Sequence, residues 1–155
     1  MAQSNFERMM KLADEAFDIR NDPDQLDVNE KIIARLQQIH PASVSEYEDA
    51  VCWIIVIPTT TDLMNQFLEN KINEQQLFEM TPIGANYYAI YLCSAMVLDE
   101  YRGKGIAKKL TVDAINSIRK DHPIKILFVW AFSKEGEGLA ESVAKATGLP
   151  LKKKV

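Results

Sequence analysis

Apolar residues Phe6, Met9, Met10, Ala13, Ala16 and Phe17 recur at three- and four-residue steps over positions 5–18, which is one face of an amphipathic helix. Asn21-Asp22-Pro23-Asp24 breaks that pattern. A second helix follows, capped by Asp27 or Asn29 and ending at Gln38 or Ile39. Its apolar face is Ile32, Ile33, Leu36 and Ile39, and Pro41 stands just past its end. The period then changes. Positions 51–57 form a continuous β-branched and aromatic run closed by Pro58, too short for a helix and too apolar for an exposed strand. They predict a central strand.

Helical spacing returns at 62–80 through Leu63, Met64, Phe67, Leu68, Ile72, Leu77 and Phe78, as two helices that meet near Asn73, and Thr81-Pro82-Ile83-Gly84 ends the segment. Positions 87–98 predict a long strand. Positions 105–120 predict a helix with Ile106, Ala107, Leu110, Ala114, Ile115 and Ile118 inward. After His122-Pro123 come an apolar strand at 124–130 and a helix at 135–147, the latter diluted by Gly136 and Gly138 and stopped at Gly148. Positions 149–155 suit a short edge strand whose lysines discourage edge pairing, with Lys154 as an indifferent surface position. The strand–helix–strand unit over 87–130 has a connection long enough for a parallel, right-handed crossover.

This order gives one α/β domain over residues 1–155, and 155 residues suffice to bury a core without disulfides or metal. A net charge of -4 argues against sequence-independent nucleic-acid binding, which rests on many Lys and Arg contacts to phosphate. Cys52 and Cys93 both sit in apolar runs, as small buried thiols do, and fit a reducing cytoplasm. Neither a signal sequence nor an apolar run of membrane-spanning length is present, so neither secretion nor membrane insertion is expected. No Cys and His spacing suggests a metal.

Charge changes the picture at one place. Of 18 basic residues, Arg102, Lys104, Lys108 and Lys109 fall within eight positions, just where a helix begins. A helix N-terminus already carries positive partial charge and prefers acidic neighbours, so the cluster implies an anion. Gly103 and Gly105 let the backbone turn so that successive N–H groups can point at it, a phosphate cradle in outline. A nucleotide P-loop is excluded, since Gly103-Lys104 has no glycine five positions before it and no Ser or Thr directly after it. A dinucleotide fingerprint loses its third glycine to Lys108 and its ribose carboxylate at Val129-Trp130-Ala131.

Arg102-Gly103-Lys104-Gly105-Ile106-Ala107 resembles the Arg/Gln-x-x-Gly-x-Gly/Ala signature of the GNAT (N-acetyltransferase) superfamily. Val97-Leu98-Asp99-Glu100-Tyr101 is similar to the Val-x-Pro-Glu-Tyr that usually precedes it. The resemblance covers about the last two-fifths of the chain. It implies a GNAT-like mixed central β-sheet flanked by helices, its two central parallel strands (87–98 and 124–130) splayed around an acyl-coenzyme A cleft. By resemblance, Arg102, Gly103, Lys104, Gly105, Ile106, Ala107 and Lys108 hold the coenzyme A pyrophosphate, and Ala95, Met96 and Val97 lie along the pantetheine. The activity implied is transfer of an acetyl or other acyl group from acetyl-coenzyme A to a small-molecule or peptide amine by direct attack; the binding of acyl-coenzyme A without catalysis is the alternative. A homodimer is left open.

Part of the family pattern is missing. Aligning on Gly148-Leu149 puts Glu137 on the family's Asn, Ala140 on its Ala and Ala144 on the Tyr that protonates the departing thiolate. Tyr87, Tyr88, Tyr91 and Ser94 offer hydroxyls that could replace it, although packing in a sheet explains the tyrosines as well. For a general base the sequence offers Glu46, Glu48, Asp49, Asp99 and Glu100 without choosing among them. His40 and His122, each before a proline, read as structural, and Cys93 as a covalent relay is the weaker route. The helical segment at 62–84 is an insertion relative to the family, so the acceptor side does not follow from the resemblance.

Overall fold

The computed structural model describes residues 4–20, 30–130 and 133–154, without the side chains of 13–20 and 30. Two helices come first, α1 (Asn5–Arg20) and α2 (Glu30–Ile39). The break at 21–24 and the cap at Asp27 or Asn29 fall outside the described residues. Among the described residues five strands then form one mixed sheet in the spatial order of the chain: β1 (Val44–Tyr47), β2 (Cys52–Thr59), β3 (Ala89–Val97), β4 (Ile126–Val129) and β5 (Leu151–Lys153). Strand β2 runs antiparallel to both β1 and β3, and β3, β4 and β5 run parallel. Helices α3 (Thr61–Leu68) and α4 (Glu74–Met80) connect β2 to β3, α5 (Ile106–Asp121) connects β3 to β4, and α6 (Lys134–Thr147) connects β4 to β5.

Side-chain alternation along the strands sorts the core into two faces. On one face Ile55, Ile57, Ala89, Tyr91 and Phe128 pack against Leu63, Met64 and Phe67 of α3 and Leu77 and Phe78 of α4. On the other, Ile54, Val56, Ile90 and Leu127 pack against Ala114, Ile115 and Ile118 of α5 and Val143 of α6. Met9 and Leu12 bring α1 against Trp53, Met96 and Leu98 at the end of β2 and β3.

Strand β2 continues through Pro58, which the sequence pattern had closing it. The β1 register ends at Val44 opposite Ile55, so Pro58 has β3 on one side only and its missing N–H interrupts no second ladder. The helices over 62–80 divide where expected. Asn73 Oδ1 accepts from the Gln76 N–H at 2.8 Å while Gln76 Oε1 accepts from the Asn73 N–H at 2.9 Å, a reciprocal box that starts α4. Glu74, in the first turn of α4, is fully buried, and Tyr91 Oη donates to its Oε2 at 2.5 Å. That hydrogen bond ties the inserted helices to the middle of the sheet.

A histidine pair closes the opposite side of the sheet. His40 Nδ1 accepts from the Ala42 N–H at 3.0 Å, so its proton lies on Nε2, which meets Asp121 Oδ2 at 2.7 Å. The His122 ring lies 5.9 Å from His40 and 4.6 Å from Tyr87, with Nδ1 buried and without a hydrogen-bond partner among the described residues. Burial, and then the His40 ring, push the His122 pKa below the usual histidine range, against the opposing pull of Asp121. Between its folded and unfolded values the unfolded chain binds more protons, so the His122 contribution is intact above pH ~6.5 and is lost as pH falls through the folded value. Urea midpoints measured from pH 8 to pH 5 should therefore fall less steeply in His122→Phe than in wild type. Equal steepness would remove His122 from this explanation.

Candidate functional site

Strand β3 outlasts its parallel neighbour. Pairing with β4 stops at Leu92 opposite Val129, whereas β3 continues through Cys93 to Val97 with β2 on its other edge. At the same point β2 and β3 slip by one residue: Ile55 faces Ser94 and Val56 faces Leu92, so Cys93 is an extra residue. Such a bulge bends a strand and increases its twist, which carries the end of β3 away from the line of β4. A cleft of about 740 Å3 opens between them. Cys93, Ser94, Ala95, Met96 and Val97 line its β3 side, and Val129 and Trp130 its β4 side.

The floor of the cleft is the turn into α5. A single 3-10 turn (Asp99–Tyr101) leads to Gly103 at φ 77° and Gly105 at φ 76°, both left-handed, a conformation in which a side chain costs ~1–2 kcal/mol. A Cβ at either position would meet no heavy atom within 4 Å, so it is backbone conformation and not crowding within the protein that requires glycine. Gly105 is also the N-cap of α5. It has no side chain to satisfy the first N–H groups, and the first turn carries no acidic residue. This helix thus begins with its donors and its positive dipole end directed at the cleft.

Among the described residues, three of the nearby cations have partners and one does not. Arg102 Nε donates to the Val97 carbonyl at 3.4 Å and its guanidinium lies 3.3 Å from Asp99 Oδ1, both at an exposed site where such pairs are weak. Lys104 Nζ lies over the Tyr101 ring at 5.5 Å, and Lys109 Nζ pairs with Asp113 Oδ2 at 2.9 Å one turn along the helix. Lys108 lines the cleft and meets no carboxylate among the described residues. Of the ten residues read from the sequence, Ala95, Met96, Val97, Arg102, Gly103, Gly105, Ile106, Ala107 and Lys108 line this one cleft; Lys104 does not.

The hydroxyls and carboxylates singled out by sequence fare differently. Tyr87 Oη donates to the Pro82 carbonyl at 2.5 Å, Tyr91 to Glu74, and Tyr88 is exposed; none lines the cleft. Ser94 and Cys93 do line it. Glu46 accepts from Trp53 Nε1 at 2.9 Å and Glu100 pairs with Arg8 at 2.6 Å, and neither they nor Glu48, Asp49 and Asp99 reach the cleft. The carboxylate that does line it among the described residues is Glu135, in the first turn of α6 beside Ser133 and Gly136. Sequence reasoning missed it because its only signal was membership of a glycine-diluted helix start. Ala144 is buried in the core between α6 and the sheet, away from the cleft lining.

The two thiols should behave differently. Cys52 is fully buried, and burial pushes its pKa up to about 11, whereas Cys93 is half-buried on the cleft wall. A thiolate-directed reagent at pH 8 should label Cys93 in the folded protein and Cys52 only on unfolding, as read by peptide mass spectrometry. Faster labelling of Cys52 would contradict the packing of β2.

Among the described residues no group of three His, Cys, Asp or Glu side chains could hold a metal, and no helix is long and apolar enough to cross a membrane. The site as it stands offers the uncapped donors at the start of α5, a cleft walled by β3 and β4, and, among the described residues, one carboxylate. Comparison of the chain with protein-family models, with curated proteins and with solved structures finds no match in any of the three.

Proposed function

We propose that this chain binds an acyl-coenzyme A in the cleft and transfers the acyl group, in the simplest case acetyl, to an amine. The observation that carries the reading is the uncapped, left-handed Gly103–Gly105 turn opening into the gap where β3 outlasts β4. An anion at that turn would gain the first N–H groups of α5 and the helix dipole, with Arg102, Lys104 and Lys108 adding charge attraction. A pyrophosphate is such an anion. The pantetheine would then run past Ala95, Met96 and Val97, whose strand edge faces the cleft, toward Cys93, Ser94 and Trp130. The mixed sheet with helices on both faces is compatible with the GNAT-like arrangement that the Arg102–Ala107 motif resembles.

In this reading the neutral amine attacks the thioester carbonyl, the C–S bond breaks, and the amine's proton and the thiolate's new proton must be handled locally. Glu135 is the group available to take the first through water, and the Ser94 hydroxyl to supply the second. A second reading, a non-catalytic acyl-coenzyme A binding module, is favoured by Ala144 in the position of the family's tyrosine and by the absence of Tyr87, Tyr88 and Tyr91 from the lining. Thiol release from acetyl-coenzyme A over a panel of amines separates them. Turnover supports transfer; binding of coenzyme A without turnover supports the module; no binding of coenzyme A removes both.

A further inference from the structure

Lys153, the last residue of β5, and Lys154 just past it send their ammonium groups to opposite faces of the sheet, where they meet different surroundings. Lys153 Nζ turns to the α6 side, where it pairs with Glu137 at 2.7 Å and also with Glu141. Lys154 turns to the α3 side. Its backbone N–H is fixed to the Val129 carbonyl at 2.8 Å, and its Nζ lies 4.2 Å from the Trp130 ring centroid and 4.5 Å from that of Phe67. Among the described residues this ammonium meets no carboxylate, in a chain with 22 acidic residues.

Trp130 belongs to both places. It lines the cleft, it stands edge-on to Phe67 with ring centroids 6.3 Å apart, and both it and Cys93 of the cleft wall pack against the core cluster that holds Phe67. Phe67 is itself fully buried, held by Tyr91 at 5.0 Å and Phe128 at 5.9 Å, which makes its ring a fixed surface. Two fixed aromatic faces that attract a cation without neutralising it form a site any organic ammonium can share. A lysine that meets rings and, among the described residues, no carboxylate can leave without stranding a buried anion.

We infer that Trp130 and Phe67 form the ammonium-binding part of the acceptor side, taking a cationic group of a diamine or similar polycationic acceptor, and that Lys154 is an internal competitor for it. The inference rests on the acyl-transfer reading for the word acceptor, but the cation site itself stands on the geometry. A diamine bound by one ammonium at Trp130 keeps its second nitrogen free to reach toward Cys93 and Ser94. A monoamine of the same length lacks that handle.

The test uses 1,4-diaminobutane and butylamine, followed by NMR at the Trp130 indole N–H, which Trp130→Phe assigns apart from Trp53. Lys154→Met should bind 1,4-diaminobutane about 2- to 30-fold more tightly than wild type, the range a cation–π contact spans. Butylamine, which has one cation to serve both as handle and as nucleophile, should gain at this site but show no acylated product. Lys154→Met/Trp130→Ala, checked for folding by its amide spectrum, should lose the gain. Unchanged diamine affinity in Lys154→Met, or an unchanged gain without Trp130, would overturn the cation site. A separate titration with coenzyme A reads the acyl-transfer proposal: a diamine gain with no coenzyme A binding keeps the cation site and removes its role as an acceptor site.

Discussion

Gly105→Glu should lower coenzyme A affinity by roughly 100-fold or more, while Lys31→Glu, on the exposed face of α2, should leave it within about two-fold. The loss combines two effects. The new carboxylate places negative charge where the pyrophosphate would sit, and the side chain occupies the open space in front of the first α5 donors, where charge-assisted hydrogen bonds are worth ~1.5–3 kcal/mol each. The left-handed φ of 76° adds backbone strain that lowers stability, so the comparison needs Gly105→Ala, which carries the strain without the charge. Gly105→Ala should keep far more affinity than Gly105→Glu at matched folded fraction. Calorimetry on both, with equal affinities as the contrary result, separates cradle chemistry from damage to the turn.

Phe67→Ala should cost ~3–5 kcal/mol of stability, a large share of the ~5–15 kcal/mol typical of a domain. Phe67 is fully buried and meets Tyr91, Phe128 and Trp130, so its ring joins α3 to both β3 and β4. Removing it leaves a cavity that the sheet cannot close, because the backbones of Tyr91 and Phe128 are fixed by strand pairing. Urea denaturation at constant m value reads the change. Phe67→Leu, which refills much of the volume, should recover a good part of it. A loss below about 1 kcal/mol in Phe67→Ala would mean that the α3 packing described here is wrong.

What the sequence revealed and what it concealed have separate physical causes. Long periodic segments were legible: the inserted helices divide at Asn73 because Asn and Gln three residues apart satisfy each other's backbone donors. The β1–β2 hairpin was not. Its turn, Glu48-Asp49-Ala50, has φ of 21°, 43° and 59° with no glycine or proline to announce it, and it holds because Ala50 is buried against Met9 and Leu98. Tertiary packing there overrides local preference.

At the site, the same division holds. Gly103, Gly105 and the clustered cations were legible because a positive cluster at a helix N-terminus contradicts the dipole unless an anion resolves it. Glu135 and Trp130 were not, since nothing local distinguishes them from surface charge or core aromatic; only the early end of β4 brings them to the cleft. Lys154 read as an indifferent surface position. Its backbone hydrogen bond to Val129 and the nearby rings give it a defined place.

A crystal structure with bound coenzyme A tests the central claim most directly. The pyrophosphate should lie within hydrogen-bond distance of the backbone N–H groups of residues 103–108, and the pantetheine between Cys93–Val97 on one side and Val129 and Trp130 on the other. Coenzyme A bound elsewhere, or a cleft that stays empty at saturating ligand, would contradict it.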